Sequence, residues 1–302
     1  MTSEAPQPTR VTFESEGAEL VGDLYLPAGR AAGGRLPALV VTGSWTTVKE
    51  QMAGRYARRL AKRGFAALAF DFRGFGQSGG EPRDYESPER KAADIHQAIG
   101  FLGSRPELDT ERIAAVAVCA SSGYTVLNAA RDERVRSLVL IAPWLHDADL
   151  VRGLYGGEEG VRARVEAGRA ARERYEQTGE VDHVPAISTT DERAAMVGEF
   201  DYYLNPQRGA IPEWPNRFAV MSWPEWLAFD PIRVAPEILA PTLLVHSENA
   251  AVPEGARRFH RDLAGAADFL WVQGIQFDFY DQEPNVTKAV DAAEAHLRRT
   301  LT

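Results

Sequence analysis

The chain has one cysteine, Cys119, which excludes an internal disulfide and a cysteine-built metal site. It has little lysine: only Lys49, Lys62, Lys91 and Lys288, so arginine supplies most of the positive charge. That bias fits a GC-rich genome and carries no functional information. Basic residues are outnumbered, 34 Lys and Arg against 43 Asp and Glu, and the net charge of −9 argues against nucleic acid as a partner. No apolar run approaches the ~18 residues of a membrane span, so no membrane partner is expected. The opening MTSEAPQPTR is polar, holds two prolines and lacks the apolar centre of a secretory signal, so a cytoplasmic location is expected. Internal repeats and low-complexity segments are also missing.

What is present is length. A chain of 302 residues suits one large α/β domain with an insertion, or two smaller domains, and a core of that size needs no covalent staples. The stretch from Thr12 to Tyr25 alternates apolar and polar residues around Glu16-Gly17 and predicts an antiparallel hairpin. Beyond it, apolar runs at 38–41, 66–70, 113–118, 137–141, 242–246 and 269–272 alternate with helical patterns at 50–63, 88–102, 123–130, 253–263 and 286–297. Continuous Val/Leu/Ala runs between helices indicate a mostly parallel, twisted sheet with helices on both faces.

Residues 144–231 break this rhythm. They start helical and charged and become rich in Trp, Tyr and Phe, which predicts a mainly helical cap inserted into a core made of 1–143 and 232–302. Many of these rings would serve to hold the cap to the sheet. An apolar pocket with a few polar groups is the usual small-molecule site. Trp144, Tyr202, Tyr203, Trp214 and Trp223 are therefore candidate substrate contacts, for a flat or aromatic small molecule.

Three motifs bear on chemistry. Arg73–Gly80, RGFGQSGG, contains G-x-G-x-x-G after a strand, with Asp94 at the distance of a ribose-binding acid. The glycines are followed by Glu81-Pro82-Arg83 and more loop rather than by a helix, so a dinucleotide site is rejected and a turn is expected. Thr42-Gly43-Ser44-Trp45 ends a strand, where backbone N–H groups can face a developing oxyanion. Ala117-Val118-Cys119-Ala120-Ser121 carries small residues two before and two after Cys119, as a sharp strand-to-helix turn demands, and Gly123 stands where close packing asks for glycine. A cysteine there would gain from the helix dipole, which predicts a thiol pKa lowered toward neutrality; the alternative is a small, buried, inert residue.

Taken together these segments resemble the α/β-hydrolase superfamily, nearest its dienelactone-hydrolase and small peptidase-like branches, over nearly the whole chain from about Val11. FDFRGFGQSGGEPR is similar to the D-x-R-G-x-G-x-S segment of that family, and TGSW takes the place of its His-Gly oxyanion loop. The resemblance puts Cys119 at the nucleophile position, the Ala120 N–H in the oxyanion hole, and Ser44 or Trp45 as second donor. PTLLVHSENAAVP and VQGIQFDFYDQE resemble the loops that carry the acid and the histidine. Here the sequence departs from the family. Asn249-Ala250-Ala251 stands at the acid position, with Glu248 one or two residues early, and Gln276 stands at the histidine position. A glutamine donates and accepts hydrogen bonds but takes no proton near neutrality.

Of the six histidines, His96, His260 and His296 lie in surface-type helical patterns, His246 ends a strand beneath the acid loop, and His183 lies in the cap. His146, beside Asp147, is the strongest stand-in base. Asp278 is expected to anchor its loop.

Three functions follow from the resemblance and its departures. One is a non-hydrolytic enzyme (addition, cyclisation, C–C bond formation or elimination) that uses the backbone oxyanion hole on a polyketide-like carbonyl compound. Altered triads of this kind are familiar among bacterial natural-product tailoring enzymes. The second is a Cys119-dependent hydrolase of an activated ester, thioester or lactone, and the third an inactive small-molecule binding protein. No cofactor or metal is expected, and the sequence leaves monomer and homodimer open.

Overall fold

The computed structural model describes residues 6–28 and 34–302. Residues 1–5, on which part of the reading against a secretory signal rests, lie outside the described residues. Strands β1 (Pro8–Ser15) and β2 (Ala18–Tyr25) form the expected hairpin, turning at Glu16 and Gly17, both with positive φ. The chain then alternates: β3 (Leu36–Thr42), α1 (Met52–Ala61), β4 (Ala66–Phe70), α2 (Pro88–Gly103), β5 (Leu108–Val118), α3 (Ser121–Ala129) and β6 (Val135–Ile141). Between β6 and the next sheet strand lie α4 (Ala148–Leu154), α5 (Gly157–Thr178), β7 (His183–Pro185), β8 (Ile187–Ser188), β9 (Met196–Val197), α6 (Asp201–Leu204), β10 (Arg217–Ala219) and α7 (Trp223–Ala228). The chain closes with β11 (Thr242–His246), α8 (Pro253–Asp262), β12 (Ala267–Trp271), α9 (Asp278–Asp281) and α10 (Asn285–Thr300).

One eight-stranded sheet, in the order β1-β2-β4-β3-β5-β6-β11-β12, forms the body of the molecule. It is parallel from β4 to β12, with the hairpin added antiparallel at one edge. β4 and β11 are buried at every position, which is why they read as unbroken apolar runs rather than alternating ones. The insertion is less purely helical than expected, since it holds two short ribbons, β7 with β10 antiparallel and β8 with β9 parallel. Among the described residues no helix is long and apolar enough to cross a membrane.

The glycine-rich 73–80 segment is a turn. Gly74, Gly76 and Gly80 take positive φ, and the Gly74 N–H donates to Gly79 O at 2.9 Å. Asp94 is buried and accepts from Ser15 Oγ (2.6 Å) and the Arg73 N–H (2.9 Å), so it pins this turn to the hairpin and has no role in ribose binding.

Strand order places the functional end. From β3 the chain moves to β4 on one side and then crosses to β5 on the other, so β3 and β5 flank the switch point, outside whose carboxyl ends α/β sheets bind ligands. Thr42 pairs with Ala117, so Ser44 and Cys119 stand equally far past the same rung.

A buried ionic cluster fixes the loop after β3. Glu86 Oε1 meets Lys91 Nζ at 2.6 Å and accepts from Tyr124 Oη at 2.6 Å, while its Oε2 accepts the Thr46 N–H at 2.9 Å. The Lys91 ammonium also lies 4.1 Å from the Phe75 ring centroid, and the Glu86 N–H donates to Ser222 Oγ of the insertion at 2.9 Å. Removing one member of a buried pair strands the other charge. Glu86→Ala is therefore expected to cost about 3–5 kcal/mol in urea denaturation. A loss no larger than that of exposed Glu159→Ala would contradict this role.

Candidate active site

Cys119 sits between the end of β5 and the start of α3 with φ 60°, in the left-handed region that a side chain enters at a cost. Small neighbours make that turn feasible. Ala117 is fully buried against β3 and β6, and Ser121 turns its hydroxyl back to Val118 O at 3.1 Å. A Cβ on Gly123 would lie 2.7 Å from the Phe229 ring, which is the close approach expected there. The turn is held on both sides: the Cys119 N–H donates to Ile141 O, and Cys119 O accepts from the Trp144 N–H, each at 3.0 Å.

Around the sulfur stand neutral hydrogen-bonding groups only. Ser44, Tyr280 and Gln276 side chains and the Ala120 N–H all lie against it. Tyr203 Oη donates to Ser44 Oγ at 3.0 Å, and Ser44 Oγ lies 3.3 Å from Tyr280 Oη. Gln276 Nε2 donates to Ala142 O at 2.9 Å and to Tyr280 Oη at 3.3 Å, and its Oε1 accepts the Ala251 N–H at 2.9 Å. Gln276 thus joins the loops after β6, β11 and β12 at the place a base would occupy. Asp278 anchors this loop as expected, accepting the Ile275 N–H at 2.8 Å.

The thiol differs from the sequence-based expectation. Burial pushes its pKa up, and this outweighs the hydrogen bonds that favour the thiolate. The second oxyanion donor is narrowed as well. The Ser44 N–H is directed at the Met52 sulfur (3.4 Å), whereas the Trp45 N–H has no hydrogen-bond partner among the described residues. The Trp45 N–H is thus open, and the Ala120 N–H faces the Cys119 sulfur.

Both ring nitrogens of His146 are already engaged. Its Nδ1 accepts from Trp144 Nε1 at 2.9 Å and its Nε2–H donates to Trp226 O at 3.0 Å, so both ring nitrogens are occupied outside the cavity. Asp147 is turned away from it: it caps α4 through the Asp149 and Leu150 N–H groups and pairs with Arg258. His296, expected at the surface, is buried and bonded to Asp268 (3.2 Å). His246 is buried with its ring against Trp271.

A cavity of about 450 Å³ opens beside Cys119. Of the predicted contacts, Trp144 and Tyr203 line it, together with Ser44, Trp45, Ala120 and Gln276. Tyr202, Trp214 and Trp223 do not. Tyr202 packs edge-on against Tyr203 and Tyr280, Trp214 donates to Thr46 O at 2.9 Å, and Trp223 lies against Trp45, with ring centroids 6.1 Å apart. All three hold the insertion to the core, at the loop after β3 and at α9. Tyr280, Tyr155, Trp226 and Arg164 line the cavity and were not picked out from sequence. Tyr280 had a signal, being the tyrosine in the FDFYD segment; the other three depend on how the insertion folds. Leu154, Val197 and Ile275, exposed apolar residues from both insertion and core, line the same cavity and mark its mouth.

The fold and site define the class. The alpha/beta hydrolase family model matches residues 38–274, and the chain belongs to that family. It is 32% identical to an uncharacterized Pseudomonas aeruginosa protein over 90% of this chain and 76% of that one. The crystal structure of that protein superposes with a TM-score of 0.86 at 26% identity, covering 99% and 95% of the two chains. Over shorter stretches it is similar to a thiohydrolase of Aspergillus aculeatus (36% identity; 42% of this chain, 39% of the relative). It is likewise similar to a polyketide transferase of Penicillium crustosum (32%; 48% and 47%).

Burial holds the pKa of both His146 and His246 down at about 4, against an ordinary 6.5. Between those values the unfolded chain binds the protons and the folded one does not, so stability falls as pH drops from 6.5 toward 4. Each histidine accounts for about 3 kcal/mol over that window. His146→Asn is expected to flatten the stability–pH curve there, read by urea denaturation at several pH values. An unchanged slope would contradict a buried neutral His146.

Proposed function

We propose that this α/β-hydrolase activates the carbonyl of a bulky apolar small molecule by hydrogen bonding and performs a non-hydrolytic natural-product step: addition, cyclisation, C–C bond formation or elimination. The observation that carries this reading is the makeup of the site. Neutral donors and acceptors converge at one end of an apolar cavity, and no base stands within reach of Cys119 among the described residues. Similarity to proteins named as a polyketide transferase and a thiohydrolase supports a substrate of that chemical kind.

In this mechanism the substrate carbonyl oxygen accepts from the Ala120 and Trp45 N–H groups, and the negative charge that develops is held by fixed dipoles. Tyr203 and Tyr280 are driven well above the ordinary tyrosine pKa by burial, so they stay protonated and act as donors. The hydroxyl chain Tyr203–Ser44–Tyr280 passes a proton from one substrate atom to another without a net base, and Gln276 orients it by donating to Tyr280 Oη. Aromatic walls hold the reacting groups together, which replaces much of what an ionised catalyst supplies.

A second reading has its own support. Ser44, Tyr280, Gln276 and Ala120 are the donors a Cys119 thiolate would need, so acyl transfer or hydrolysis through the sulfur is the competing chemistry.

Incubation with a panel of aromatic N-acetylcysteamine thioesters in oxygen-18 water separates the two. The proposal expects cyclised or condensed products without the label; labelled free acid would overturn it. Turnover is also expected to be flat between about pH 5 and 8, since no group at the site titrates there. A rise of about tenfold per pH unit would instead mark a thiolate.

A further inference from the structure

Arg164 is the one charged side chain that lines the cavity among the described residues. It lies on the buried stripe of α5. Gly168 is one turn on, and a Cβ there would come within 3.1 Å of Val220 O; the buried Ala171 follows. The helix neighbours three and four residues either side are Gly160, Val161, Ala167 and Gly168. Periodicity therefore asks for an apolar residue at 164, and no acid on that face can pair with an arginine.

No carboxylate elsewhere pairs with it either. Arg164 makes no salt bridge among the described residues, whereas Arg162 on the same helix meets Glu166 at 4.0 Å. The guanidinium is held in place instead by its Nη1, which donates to Tyr155 O and Gly160 O, each at 3.1 Å. It also lies 5.4 Å from the ring centroids of both Tyr155 and Trp223. Nε and Nη2 donate to no protein atom among the described residues. That edge is the one that takes a carboxylate with two parallel hydrogen bonds.

We infer that the substrate carries a carboxylate besides its reacting carbonyl, and that Arg164 binds it through the free Nε–Nη2 edge. This rests on the proposed function for the carbonyl end and adds the substrate's charge. A fixed cation in an apolar cavity favours a ligand that neutralises it over one of the same shape that does not.

The test is binding of ω-naphthylalkanoic acids of graded chain length against the matching primary amides, followed by quenching of the cavity tryptophans at low salt. The carboxylate of best length is expected to bind about tenfold tighter than its amide, the size of one charge-assisted pair. In Arg164→Gln the carboxylate falls to the affinity of the amide, and Arg164→Lys keeps part of the preference. Equal affinity in the natural protein, or a preference that survives Arg164→Gln, overturns the inference while amide binding leaves the carbonyl site standing. Failure of acids and amides alike at every length overturns both.

Discussion

The left-handed turn at Cys119 is the constraint on which the site depends. A φ of 60° at a residue with a side chain is held only because β5, β6 and α3 over-determine it. The same turn aims the sulfur and the Ala120 N–H into one corner of the cavity. The loop after β3 must bring the Trp45 N–H to that corner from the neighbouring strand. It is fixed by Glu86, whose carboxylate takes the Thr46 N–H while neutralising Lys91. The proposed oxyanion geometry thus rests on backbone and is braced from beneath, independently of any triad.

With the turn and loop in place, the chemistry is decided by what surrounds them. In a site with a histidine and a carboxylate, the nucleophile's proton has somewhere to go. Here Gln276 occupies that place and spends its amide on Ala142, Tyr280 and Ala251. Burial without a nearby cation or base drives the thiol and the tyrosines in one direction, toward their neutral forms. The result is a preorganised hydrogen-bonding surface rather than an acid–base pair.

Much of the fold was legible because its signals are local. The hairpin at Glu16-Gly17, the buried runs of β4 and β11, and the small residues flanking Cys119 each reflect a constraint that acts within a few residues. Gly123 was legible for the same reason, since helix α3 must approach Phe229 closely. The glutamine in the loop that resembles the family's histidine loop was readable from sequence, and the structure puts the Gln276 side chain against the sulfur. The insertion was far less legible. Its aromatics share a composition but divide between two jobs, Trp226 lining the cavity and Trp214 bracing the loop, and only the folded arrangement separates them. Arg164 was hidden among the many arginines of α5. His146 misled because proximity in sequence to Asp147 and to the sheet end says nothing about which way its ring nitrogens point.

The most direct test is a pH titration of Cys119 followed by thiolate ultraviolet absorbance, with Cys119→Ala as blank; the single cysteine makes the signal unambiguous. A sulfur surrounded only by neutral groups predicts no thiolate until the pH passes the ordinary thiol value of 9.0. A thiolate already present at neutral pH would contradict it, and would return the cysteine to the centre of the reaction.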